Sequence, residues 1–116
     1  MVINKDAIVK RLGDEELFFS LIRFFDEDAP GLLETIRTAS QNGDAELVMR
    51  SAHSIKGLVA NFDAVAAMTA AMRLQKVGQS GHLEETGPLL SALETEITRL
   101  TVALAPFRSS DRRNGT

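Results

Sequence analysis

Apolar residues recur along this chain at steps of three and four. Phe18, Ile22, Phe25, Ala29, Leu32 and Ile36 keep one phase, and Val48, Ala52, Ile55, Val59 and Phe62 keep another. Leu90, Leu93, Ile97, Leu100 and Leu104 keep a third. Such spacing draws one stripe on an α-helix. The residues between the stripes supply the punctuation. Asn4 can cap a short first helix from Lys5 to about Leu12, which Gly13 stops. Asp14 is a good cap for the second, and Glu15 and Glu16 suit its positive N-terminal end. Pro30 would ordinarily end that helix. The apolar phase passes through it without a slip, so we expect a kinked long helix, or two coaxial pieces, from Asp14 to about Gln41. Phe19 and Phe24 fall off the stripe, and we expect flank packing for them ahead of an exposed patch.

Asn42, Gly43 and Asp44 read as a turn, with Asp44 capping a third helix that runs to about Phe62. Leu47 and Leu58 share one flank of that helix and are expected to meet a neighbour. Asp63 is expected to cap a fourth helix, Ala64 to about Val77, whose alanines allow close packing. Gly78, Gln79, Ser80 and Gly81 read as a loop. The fifth helix begins near His82 or Leu83. Pro88 lies early in it, so its first turn is expected to be separate or bent. Pro106 is expected to end it, leaving residues 107–116 as a flexible polar tail. No strand pattern competes, and no solenoid repeat is present. The expected fold is all-α: an antiparallel up-down four-helix bundle over residues 1–106, with the short N-terminal helix as a lid.

A chain of 116 residues suits one domain with a single core. The absence of Cys excludes disulfides and thiolate metal sites. A net charge of -3 argues against a general nucleic-acid binder. No apolar run approaches the roughly 20 residues of a membrane span, and the N-terminus lacks a signal-peptide core. A monomeric protein of the cytoplasm is the expectation.

The third helix carries the chemistry. At about 100° per residue, His53 lies about 140° from the centre of the apolar stripe, and Gly57 about 180° from it. Lys56 sits on the shoulder, one helical turn from His53. A glycine inside a helix costs about 1 kcal/mol relative to alanine. Close approach of another molecule would compensate for it. A surface histidine without a role explains neither Gly57 nor Lys56. A metal ligand lacks partners, since His82 is the sole other histidine and Glu46 is two turns away. A hydrolytic base would need a nucleophile in a pocket, but Ser54 points about 100° away and a convex helix face makes a poor pocket. A phosphoryl acceptor fits best. An imidazole with an ordinary pKa of about 6.5 keeps a free lone pair at neutral pH. Positioning and charge neutralisation are then most of what the transfer needs. The chain has no nucleotide-binding loop or kinase signature, so its phosphate must come from elsewhere.

At these residues the chain resembles the histidine-containing phosphotransfer (HPt) domain family. His53, Ser54, Ile55, Lys56 and Gly57 match that family's central motif. The likeness continues through Asn61, Phe62 and Ala64. It also takes in Phe25, Glu27, Asp28, Ala29 and Pro30, then Gly43 and Asp44, and later Arg73, Leu74, Gln75 and Gly78. The resemblance implies His53 as the phosphorylated residue, through the ring nitrogen remote from the backbone. It implies Lys56 as the charge partner, Gly57 as the clearance residue and Gln75 as the side chain that steadies the imidazole. It implies receiver domains of response regulators or hybrid histidine kinases as partners, with magnesium bound on the receiver and no cofactor on this chain. The implied function is that of a phosphorelay intermediate without kinase activity of its own. The alternative is a docking module of the same fold that regulates a kinase or response regulator. Two positions depart from the family pattern. Asp63 stands where glycine is common, and Leu58 where a small polar residue is usual.

Overall fold

The computed structural model describes the backbone of residues 1–114 and the side chains of residues 1–108. Five helices follow one another: α1 (Lys5–Leu12), α2 (Glu15–Gln41), α3 (Ala45–Ala60), α4 (Val65–Ser80) and α5 (Thr86–Asn114). A single 3-10 turn, Leu83–Glu85, precedes α5, so the first turn is separate as the early Pro88 suggested. Short connections make successive long helices antiparallel. Each of α2 to α5 packs on two others in the cyclic order α2, α3, α4, α5, while α1 lies against α2. This is the up-down four-helix bundle with its N-terminal lid. There is no strand among the described residues.

Three of the helix starts follow from side-chain caps. Asn4 accepts from the Ala7 N–H, Asp14 from Glu16 and Asp44 from Leu47. Each such cap contributes about 1 kcal/mol. The three apolar stripes converge on one core, with only Leu32 left partly exposed. Phe18 sits at its centre and meets Phe19, Phe62 and Phe107 edge-on. Arg37 ties α2 to α5 through Glu94 at 2.9 Å and also reaches Glu34. The hydrogen bond it donates to Glu94 is the main reason its guanidinium is held above its ordinary pKa.

Four expectations need correction. Asp63 does not cap α4. The N-cap is Ala64, with no side-chain hydrogen bond, and Asp63 sits at φ 56 in the left-handed region. Its carboxylate instead takes both contacts of Arg11 Nη1 at 3.0 Å, while Arg11 Nη2 donates to the Asn61 carbonyl. Gly78 is not in a loop. It is buried inside α4, because α4 needs a residue without Cβ where it touches α3. Phe19 is only 7% exposed, with the Lys5 ammonium 5.0 Å from its ring centre, whereas Phe24 is 50% exposed. Finally, α5 runs through Pro106 to Asn114. Phe107 packs on Phe18, and Arg108 pairs with Asp26 and donates to the Thr101 carbonyl at 2.8 Å. These contacts hold the chain beyond the proline. The rest of the expected tail has its side chains, and residues 115–116 entirely, outside the described residues.

Candidate functional site

The stripe of α3 decides where His53 points. Val48, Ala52, Ile55 and Val59 are fully buried, which turns His53 outward. The imidazole is exposed and makes no hydrogen bond among the described residues. Ser54 Oγ donates back to the Arg50 carbonyl on its own helix. It is not paired with His53, so the two do not form a nucleophile–base couple. Arg50 and Lys56 stand one turn to either side of His53, placing a cation on each flank. Lys56 is half-buried along its stem and has no ion pair among the described residues, and Arg50 makes a loose 3.8 Å contact with Glu46.

Gly57 is exposed, and a Cβ there would meet nothing within 4 Å. Internal packing therefore gives no reason for a glycine at this position. What the missing side chain leaves is a low surface beside His53.

Gln75 lies across the seam between α3 and α4. Gly78 touches Met49, and the two helices are antiparallel. One turn back from Gly78 is Gln75, and one turn on from Met49 is His53, so both stand at the same level. Gln75 Oε1 is buried without a hydrogen-bond partner, and no hydrogen bond joins it to His53. The unmet acceptor was not visible in the sequence.

On the other side of α3 a groove separates it from α2. Glu27, Asp28, Gly31, Leu32 and Thr35 form one wall, and Ser54, Gly57, Leu58 and Asn61 the other. Leu58 is thus half-exposed in this groove rather than fully packed, while Leu47 does pack on the core. Gly31 was passed over in the sequence. A second mid-helix glycine, directly after Pro30, was the signal that could have found it. No group of three or more His, Asp or Glu among the described residues is placed to hold a metal ion.

The Hpt domain family matches residues 20–103, which span most of α2, all of α3 and α4, and α5 to one residue short of Leu104. This chain belongs to that family. The Hpt bundle is also similar to the crystal structure of histidine-containing phosphotransfer protein B from Pseudomonas aeruginosa PAO1. That match has 25% identity and a TM-score of 0.81, and it covers 90% of this chain and 93% of the other. None of the curated proteins matches this chain. Family and fold together support a histidine phosphotransfer role in two-component signalling, and Hpt domains are phosphocarriers rather than enzymes. No helix is long and apolar enough to cross a membrane among the described residues.

Proposed function

We propose that this Hpt domain is a phosphorelay intermediate of the cytoplasm. It accepts a phosphoryl group on His53 from the aspartate of a receiver domain and passes it to a second receiver. The observation that carries this reading is the exposed imidazole of His53, without a hydrogen-bond partner among the described residues, beside the open surface at Gly57.

In the transfer, the lone pair of His53 Nε2 attacks phosphorus. The N–P bond forms, the P–O bond to the receiver aspartate breaks, and that carboxylate leaves with the electron pair. No proton has to move. Lys56 and Arg50 offset the negative charge of the incoming group. Gln75 Oε1 is the acceptor for the Nδ1–H, which becomes more acidic as the ring gains positive character. Magnesium belongs to the receiver and supplies charge neutralisation there. The chain has no kinase activity of its own and acts as a monomer.

The test is transfer from a receiver phosphorylated with acetyl phosphate. The native chain should acquire an acid-labile phosphate, and His53→Gln should acquire none. Binding of receivers without transfer by the native chain would instead favour the docking module.

A further inference from the structure

Gly78 does for α4 what alanine does not. Ala67, Ala70 and Ala71 are buried along the same helix and let a neighbour come close at little cost to helix formation. At residue 78 the helix gives up the Cβ as well, against its own propensity. A Cβ there would stand 2.6 Å from the Met49 nitrogen and 2.8 Å from the Ala45 carbonyl oxygen. No other glycine among the described residues has any such atom within 4 Å of the place its Cβ would take.

The contact reaches as far as His53. Met49 and His53 are four residues apart and share a side of α3, and Gly78 and Gln75, three apart, share a side of α4. The first step covers roughly 6 Å along the axis and the second roughly 4.5 Å. The helices are antiparallel, so both steps run the same way. They leave Gln75 and His53 within roughly 1.5 Å of one level, with Gly78 on Met49 as the fixed point one turn off. Gln75 Oε1 is buried at that level and accepts no hydrogen bond among the described residues. An acceptor sealed from water and left unmet is costly.

We infer that Gly78 is a positioning residue for phosphoryl transfer and acts through Gln75. This deepens the proposed function and rests on it. By letting α4 close on α3, Gly78 keeps water from Gln75 Oε1 and holds it at the height of the imidazole. As Nε2 takes the phosphoryl group, the Nδ1–H gains positive character and donates to that dry acceptor, where a hydrogen bond is strongest. A Cβ at residue 78 has to open the seam from 2.6 Å toward an ordinary contact of at least 3.4 Å. Water then reaches Oε1 and competes for it. The loss falls on the transition state and not on receiver binding.

The experiment measures transfer rate against the concentration of a phosphorylated receiver, at a temperature where circular dichroism shows each variant folded. Gly78→Ala should lower the limiting rate roughly tenfold, the size of one hydrogen bond to a group gaining charge, and keep the half-saturating concentration. Gln75→Ala should do the same. The double variant should be no slower than either single one, because both remove one contact. Phe19→Ala, destabilised by a core change beside α1, should keep the native rate. Gln75→Asn keeps the amide, draws it back by one methylene and leaves the seam alone. It should be as slow as Gln75→Ala, and it decides the matter if Gly78→Ala does not fold. A native limiting rate in folded Gly78→Ala or in Gln75→Asn overturns the inference. So does slowing by Gly78→Ala that is as large without Gln75 as with it, or equal slowing in Phe19→Ala, since either makes Gly78 a packing residue alone. Those outcomes leave His53 as the acceptor. Failure of the native chain to accept phosphate from any receiver overturns the proposed function instead.

Discussion

Gly78 of α4 lies on the backbone of Met49 in α3. A Cβ at Gly78 would stand 2.6 Å from the Met49 nitrogen and 2.8 Å from the Ala45 carbonyl oxygen. Those atoms belong to a helix backbone and cannot step aside cheaply. The contact fixes how far α4 can slide along α3, and so the level of Gln75 against His53. Gly78→Ala should force the two helices apart. We expect a loss of about 3 kcal/mol, read as a fall in Tm of roughly 10 °C or more. A Tm within a degree or two of the native value would show that the seam can spread without cost.

The pair formed by Arg11 and Asp63 makes a different prediction. Asp63 holds a positive φ that only glycine adopts freely. Aspartate tolerates that backbone, and here Arg11 meets its carboxylate at an exposed pair worth under about 1 kcal/mol. Asp63→Gly loses the pair and gains the backbone freedom, so its stability should be near native. Asp63→Ala loses the pair and keeps the strain, and should be less stable than Asp63→Gly by about 1 kcal/mol. Chemical denaturation of the two variants measures the difference.

Phe19 and Phe24 are five residues apart and should respond in opposite ways. Phe19 is buried against Phe18 and under Lys5. Its replacement by alanine should cost about 3 kcal/mol. Phe24→Ala should change stability by no more than about 0.5 kcal/mol. If Phe24→Ala instead slows receiver transfer, the docking surface extends along α2.

Among the described residues Lys56 has no ion pair that folding would lose. Lys56→Ala should therefore leave Tm nearly unchanged and slow phosphoryl transfer roughly tenfold, the effect of losing one charge-assisted contact in the transition state. A large drop in Tm with an unaltered rate would make Lys56 a packing residue instead.

Much of this molecule was legible from the order of its residues. The helix phases, the caps at Asn4, Asp14 and Asp44, and the outward position of His53 depend on neighbours within a turn or two along the chain. Periodicity and local hydrogen bonding set them, so they can be read without knowing the fold. Gly78, Asp63 and the end of α5 were misread for one shared reason. Each is decided by something distant in sequence: the Met49 backbone, the Arg11 guanidinium, and the ion pair from Arg108 to Asp26. The groove belongs with them. Gly31 and Gly57 are ordinary helix-weakening residues until antiparallel packing sets them across from each other. A chain states its own local preferences, but which surfaces come within a few ångströms is settled only when the helices have packed.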